Sequence, residues 1–140
     1  MTDGVPLHVG VDDHLLHDFG MRKVDDPEHG PVLEMPVPPR VQNPHGGLHG
    51  GLMMALLECG AAGVAVRAAG TENIVAGDLT VRFLRAVRVG PARVVGRALH
   101  AGRRSVVVQA EVLDMGADGA VCASASVGYL RLDGGPAATS

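Results

Sequence analysis

The stretch HGGLMMALLECGAAGVAV, residues 49–66, carries one carboxylate, Glu58, in an otherwise apolar and glycine-rich run. A helix that is apolar on every face is typical of a core helix that is buried on all sides. A charged group in such a helix is costly unless it is paired or its pKa rises. Because chains that carry this cost usually gain chemistry from it, Glu58 is the first candidate for a functional residue.

The regions around this stretch predict one helix followed by a sheet. The helix is expected from Gly50 to Ala68, with Gly70 ending it. Upstream, we expect a short helix and two strands, the second at a sheet edge because of its prolines, at residues 11–20, 21–24 and 32–37. Downstream, alternating apolar residues predict four strands, at residues 74–87, 92–101, 105–115 and 120–132. The short connections predict consecutive hairpins, hence an antiparallel meander.

These elements predict an α+β fold in which a curved antiparallel sheet wraps a long buried helix. The chain of 140 residues is expected to form a single domain, residues 1–140, with flexible tails at residues 1–9 and 134–140. One sheet covers only one side of a helix that is apolar all round. The remaining apolar surface therefore predicts a partner subunit.

Composition narrows the classes of function. Hydrophobic residues make up 46% and charged residues 19%, which fits a globular protein. Aromatic residues are only 2% and the net charge is −3, which argues against nucleic-acid binding. Cys59 and Cys122 lie in apolar runs, which favours buried thiols in a reducing compartment. The N-terminus has no signal-peptide pattern and the helix is read as too short for a membrane span, so a cytoplasmic protein is expected, with no membrane partner.

The segment from Asn43 to Glu58 resembles the active-site motif of hotdog-fold acyl-CoA thioesterases. The phenylacetate-degradation (PaaI-like) and 4-hydroxybenzoyl-CoA thioesterase branch is the nearest match. Asn43, the His49-Gly50-Gly51 triplet and Glu58 meet the spacing of that motif. Residues 78–85, followed by Gly90, are similar to the family's next strand.

This resemblance implies a hotdog fold with five to six strands, a homodimer as the minimal unit and often a homotetramer. It implies hydrolysis of an acyl-CoA substrate without a metal or prosthetic group, so no cofactor is expected beyond the CoA of the substrate. The amide of Gly50 would polarise the thioester carbonyl. Glu58 would act as nucleophile or general base, and Asn43 would help to hold the carbonyl or the water. His49 belongs to the motif, either in the catalytic set or as a loop histidine.

Further residues are candidates for contacts with the substrate. Gly51 adds to the oxyanion site at the helix N-terminus, where amides have no partner within the helix. Met54 lines either the core or an acyl pocket. Arg103 and Arg104 lie at a predicted turn, where they form either a solvated turn or a clamp for the CoA phosphates. Ala76 stands where many relatives carry a hydroxyl that places the attacking water.

The resemblance to hotdog-fold thioesterases implies a second missing hydroxyl, because Ala62 occupies a position where other relatives carry a hydroxyl side chain. The water-positioning group is therefore not identified by the sequence. A non-catalytic protein that binds acyl-CoA or an acyl ligand is the alternative function. Glu58 could also be a core carboxylate paired with an arginine such as Arg67. His45 and His49 do not predict a metal site, since Gly46 and Gly47 between them disfavour a helix.

Helix geometry limits how Gly50 and Glu58 can act together. Eight residues of α-helix separate them by about 12 Å along the axis. One carbonyl cannot contact both groups within one chain. Two helices antiparallel across a two-fold axis would bring Gly50 of one chain near Glu58 of the other, giving two composite sites per dimer.

Overall fold

The computed structural model describes residues 15–132 as a six-stranded antiparallel sheet curved around one long helix. The helices and strands are α1 Leu15–Asp18, β1 Arg22–Asp26, β2 Gly30–Met35, α2 Gly50–Ala69, β3 Ile74–Phe83, β4 Ala92–Ala101, β5 Ser105–Asp114 and β6 Ala120–Arg131. Two single-turn 3₁₀ segments, Pro39–Val41 and Met115–Ala117, complete the described elements. The α+β prediction and the hotdog architecture are confirmed. The predicted tails, and residues 11–14 of the predicted first helix, lie outside the described residues.

Helix α2 begins and ends close to where the sequence predicts. His49 is its N-cap, and Gly70 ends it in the left-handed conformation with φ 74°. Its inward face buries apolar side chains against the sheet, and Gly60 faces Val94 of β4. A Cβ at position 60 would lie 2.7 Å from the Cβ of Val94, so glycine allows this close approach of helix and sheet.

The length of α2 corrects one prediction. With 20 residues it is long and apolar enough to cross a bilayer by length and composition alone. Nine of those residues are buried within this chain, and the helix packs against strands β2 to β6. This packing is that of a core helix, although the length of α2 alone would allow a membrane span.

The strand order is β1-β2-β4-β5-β6-β3, so the predicted meander is correct for β4, β5 and β6 and wrong for β3. Strand β3 ends at Phe83 and pairs with β6 instead of β4. The chain leaves the ladder where the amides of Leu84 and Arg85 both donate to the carbonyl of Cys122, at 2.8 and 3.1 Å. The carboxylate of Asp114 then holds the crossing segment by accepting the amides of residues 88–90 at 2.8–3.2 Å.

The prediction that the second strand lies at an edge is also wrong, since β2 lies between β1 and β4. Its prolines are tolerated because β4 pairs only with residues 33–35 of β2. Pro31 precedes that stretch and Pro36 follows it, so neither has to donate to β4. The edges of the sheet are β1 and β3.

Candidate active site

Glu58 lies in the middle of α2 and opens into a cleft of about 230 Å³ between the helix and the β3 side of the sheet. The cleft is lined by Glu58, Cys59, Ala62, Val66, Glu72, Ile74, Ala76 and Tyr129. The Glu58 side chain is partly buried, and its carboxylate has no hydrogen bond or ion pair with any residue from 15 to 132. Arg67 is exposed, so it is not a buried ion-pair partner of Glu58.

Burial in this cleft raises the pKa of Glu58 above its ordinary value of 4.5. Burial, together with the nearby charge of Glu58, raises the pKa of Cys59 to about 12. Cys59 is therefore a protonated thiol at neutral pH and a poor nucleophile. The raised pKa of Glu58 moves its ionisation towards the range in which base catalysis is effective.

Tyr129, on β6, lines this cleft, and no motif in the sequence indicates a role for it. Its side chain is 1% exposed, and its hydroxyl donates a hydrogen bond of 2.5 Å to the backbone carbonyl of Glu58. Burial and then the charge of Glu58 raise the pKa of Tyr129, so it remains a neutral phenol. No local pattern signals this contact, because it joins residues 71 positions apart.

The N-terminal end of α2 holds the glycine pair, Gly50 and Gly51. The Nδ1 atom of His49 accepts the amide of Gly51 at 3.0 Å, so this histidine caps the helix. The amide of Gly50 has no partner among the described residues. Phe83 flanks it, since a Cβ at position 50 would lie 3.6 Å from the edge of the Phe83 ring. Of the two predicted oxyanion donors, Gly50 is therefore the available one.

Asn43 organises the loop before the helix. Its side-chain oxygen accepts the amides of His45 and Gly47, at 2.9 and 3.2 Å. Its backbone amide donates to the carbonyl of Gly47 at 2.7 Å. The geometry shown is that of a turn residue, which leaves only its side-chain NH₂ group for a substrate or water.

The remaining candidates lie in different places. Met54 is 38% exposed on α2, so it is not a core residue of this chain. Arg103 and Arg104 are exposed on the β4–β5 turn. The carbonyl of Arg104 accepts the amide of Arg131, which pairs with Ile74 in the Glu58 cleft. The structure thus brings Ala76 to the Glu58 cleft, the arginine turn to the Ala69 end of α2, and His49, Gly51 and Asn43 to the Gly50 end.

Within residues 15–132, no group of three or more His, Cys, Asp or Glu side chains is arranged to hold a metal ion. His45 is exposed on the loop, and His49 directs its ring to the helix cap.

Comparisons with known proteins identify the family. The sequence model of the thioesterase superfamily matches residues 45–129, which include α2 and most of the sheet. The chain therefore belongs to the thioesterase superfamily, as the fold and the motif predict. This membership supports a hydrolase that acts on thioesters in general.

Individual relatives agree with this assignment. ComA2 of Bacillus subtilis is 29% identical over 108 residues, covering 71% of this chain and 81% of that protein. The 1,4-dihydroxy-2-naphthoyl-CoA hydrolase of Escherichia coli is 35% identical over 81 residues, covering 57% of this chain and 60% of that enzyme. A thioesterase crystal structure from Haemophilus influenzae has the same fold, with a TM-score of 0.72 and 22% identity, covering 86% of this chain and 83% of that one.

Proposed function

We propose that this protein hydrolyses an acyl-CoA thioester to a free acid and CoA, at composite sites of a homodimer. The observation that carries the proposal is the carboxylate of Glu58, which has no partner among residues 15–132 and lies in a cleft where burial raises its pKa. Membership of the thioesterase superfamily and the CoA thioester named for the Escherichia coli relative support the substrate class.

Two routes use the same groups. In the general-base route, Glu58 takes a proton from water while the water oxygen adds to the thioester carbonyl. The amide of Gly50 donates to the oxyanion, and collapse breaks the C–S bond while Glu58 returns the proton to the CoA sulfur. In the nucleophilic route, Glu58 attacks the carbonyl itself and CoA leaves as the thiolate. Water then hydrolyses the mixed anhydride.

The positions of the Glu58 cleft and of Gly50 along the edge strand β3 support the proposed dimer. Ala76 belongs to the Glu58 cleft, whereas Phe83, seven residues further along the strand, flanks Gly50. An antiparallel pairing of β3 with β3 of a second copy, centred near residues 79–80, sets the Ala76 end of one chain beside the Phe83 end of the other. The Glu58 cleft then meets the partner's helix N-terminus.

Exposure of β3 supports this pairing. Val75 and Phe83 are 46% and 50% exposed, and they lie on β3, which is an edge strand of the sheet that residues 15–132 form. Unpaired edges with apolar side chains favour pairing with another chain. A homotetramer, built from two such dimers, is part of the proposal, and exposed Leu130 beside Val75 on the outer face offers apolar surface for it.

The other candidates take supporting roles in this proposal. Asn43 and His49 shape the loop and cap beside the oxyanion site, and Gly51 lets the substrate approach the backbone. Met54 contributes apolar surface for the acyl group. Arg103 and Arg104, on the turn near the Ala69 end of α2, would attract the CoA phosphates. The free thiols of Cys59 and Cys122 support a cytoplasmic location.

One observation favours a second function. Ala62 and Ala76 in the Glu58 cleft carry no hydroxyl that could position water. A protein that binds acyl-CoA or an acyl ligand without hydrolysing it would need none.

To separate the two functions, thiol release would be measured with a panel of aromatic and aliphatic acyl-CoAs. We expect turnover by the wild type and a loss of about 100-fold or more in kcat for Glu58→Gln, with KM retained. Glu111→Gln serves as the control, because Glu111 is a partly buried carboxylate at a separate pocket, away from the Glu58 cleft. Tight binding of acyl-CoA without turnover by the wild type supports the second function. Full activity of Glu58→Gln contradicts the role of Glu58.

A further inference from the structure

The Glu58 cleft contains one hydroxyl group among its described lining residues, that of Tyr129. A water molecule that attacks a carbonyl has two hydrogens to place. One is directed to the catalytic base, and the other needs an acceptor, so that a lone pair is left pointing at the carbonyl carbon. Ala62 and Ala76 cannot supply that acceptor, and Glu72, the other carboxylate that lines the cleft, is exposed to solvent.

We propose that the Tyr129 hydroxyl accepts the second hydrogen of the attacking water and so positions that water beside Glu58. This inference rests on the hydrolysis proposed above. A phenol has one proton to donate and lone pairs to accept. The proton of Tyr129 is committed to the carbonyl of Glu58 at 2.5 Å. Any further hydrogen bond that its oxygen makes must be one in which the oxygen accepts.

The surroundings of Tyr129 keep this role fixed. The side chain is 1% exposed, so its ring is held by packing between α2 and the sheet. Burial and the charge of Glu58 both raise its pKa, which keeps the hydroxyl proton in place at neutral pH. The bond to the backbone of Glu58 also ties the hydroxyl to the helix turn that carries the base. Both routes need the positioned water, the nucleophilic one in its second step.

The strand register supplies a way to restore the lost hydroxyl. Ala76 of β3 pairs directly with Tyr129 of β6, and both line the cleft. A serine at position 76 would therefore add a small hydroxyl to the lining of the cleft from which Tyr129→Phe removes one. If Tyr129 acts through the water, the second hydroxyl should replace it, whereas it could not replace a bond to the Glu58 backbone.

The experiment compares kcat and KM of the wild type, Tyr129→Phe, Ala76→Ser and the double variant on the best acyl-CoA of the panel. We expect Tyr129→Phe to lower kcat by about 10- to 100-fold with little change in KM. The double variant should recover a large part of that loss. Ser126→Ala, which removes an exposed hydroxyl from the same strand, is the control and should keep wild-type kcat.

Two results would overturn the role of Tyr129. One is a Tyr129→Phe enzyme with wild-type kcat. The other is a loss of kcat that Ala76→Ser does not restore, which would assign Tyr129 a purely structural role. In both cases an inactive Glu58→Gln variant would leave the proposed hydrolysis standing. An active Glu58→Gln variant would instead contradict the hydrolysis mechanism itself.

Discussion

The ring nitrogen Nδ1 of His49 accepts the amide of Gly51 at 3.0 Å, whereas the preceding amide, that of Gly50, has no partner among residues 15–132. The capping bond satisfies one of the amides that have no partner within the helix and does not involve the amide of Gly50. The positive end of the helix dipole lies at the same point. This arrangement separates the structural role of His49 from the catalytic role proposed for Gly50.

Gly50→Pro should abolish the oxyanion donor while preserving the helix. Proline is well tolerated at the first position of a helix, and the ψ of 130° at His49 suits a residue before proline. We expect kcat to fall by about 100- to 1000-fold. Gly50→Ala is the matched comparison, since its added Cβ meets the Phe83 ring at an ordinary 3.6 Å and its amide is retained. Equal losses in the two variants would mean that the amide is not the reason.

The pH dependence of activity should report the ionisation of Glu58. Both proposed routes need the carboxylate form, so kcat/KM should fall as the pH drops through the pKa of Glu58. Because burial raises this pKa, the midpoint of the acid limb should lie above 4.5. The measurement is kcat/KM across the pH range in which the fold is stable, monitored by circular dichroism. An acid limb at or below 4.5 would argue against Glu58 as the titrating group.

Glu58→Gln should raise the stability of the protein at neutral pH. A carboxyl whose pKa is raised on folding binds protons more tightly in the folded state, so its ionisation destabilises the fold as the pH rises above 4.5. The neutral amide avoids that cost. We expect a higher Tm than the wild type at pH 7 and a smaller difference as the pH approaches 4.5. A Tm below that of the wild type at pH 7 would indicate that the ionised carboxylate is stabilised in the fold.

Asp114 should be a strong contributor to stability, because its carboxylate accepts four backbone amides. These are the amides of Arg88, Val89, Gly90 and Gly116. Burial alone would raise the pKa of Asp114, but these hydrogen bonds lower it below 3.8. We expect Asp114→Ala to cost about 2–4 kcal/mol of unfolding free energy in urea titrations. The exposed neighbour Asp118 lies in the left-handed region at φ 57°, which asparagine tolerates, so Asp118→Asn is the control, and a similar loss there would contradict the argument.

The contribution of Asp114 to folding stability should depend on pH. A lowered pKa in the folded state means that the contribution is present above the unfolded pKa and is lost as the pH falls through the folded one. The stability difference between the wild type and Asp114→Ala should therefore shrink below a pH of about 3.8. A difference that stays constant in that range would show that the ionised form is not the stabilising species.

The sequence predicted the elements whose signals are local. Helix α2 is bounded by the glycines at its two ends, and β4, β5 and β6 are separated by turns rich in glycine, so their limits are correct to within one or two residues. The pairing of β3 with β6 could not be predicted this way, because alternation continues past Phe83 and hides the end of the strand. The mistake at β2 has a similar origin, since a proline matters only where a neighbouring strand needs its amide.

The residues of the candidate site also divide into those that the local sequence identifies and those that depend on the tertiary fold. Glu58 and Gly50 are identified by composition and spacing within one helix. Tyr129 belongs to the cleft only because β6 lies beside β3 and beneath α2, which is a property of the sheet order. Asn43 has the spacing of the motif, but its use as a loop acceptor depends on the turn that residues 44–47 adopt.

The most direct test of the account combines two inactive variants in one dimer. Glu58→Gln and Gly50→Pro chains carrying different affinity tags would be co-expressed, and the heterodimer would be isolated through both tags. If each site uses Glu58 of one chain and Gly50 of the other, one of the two sites is intact. The heterodimer should then show about half the wild-type kcat, far above either parent. A heterodimer as inactive as both parents, or the failure of the two chains to associate, would contradict composite sites.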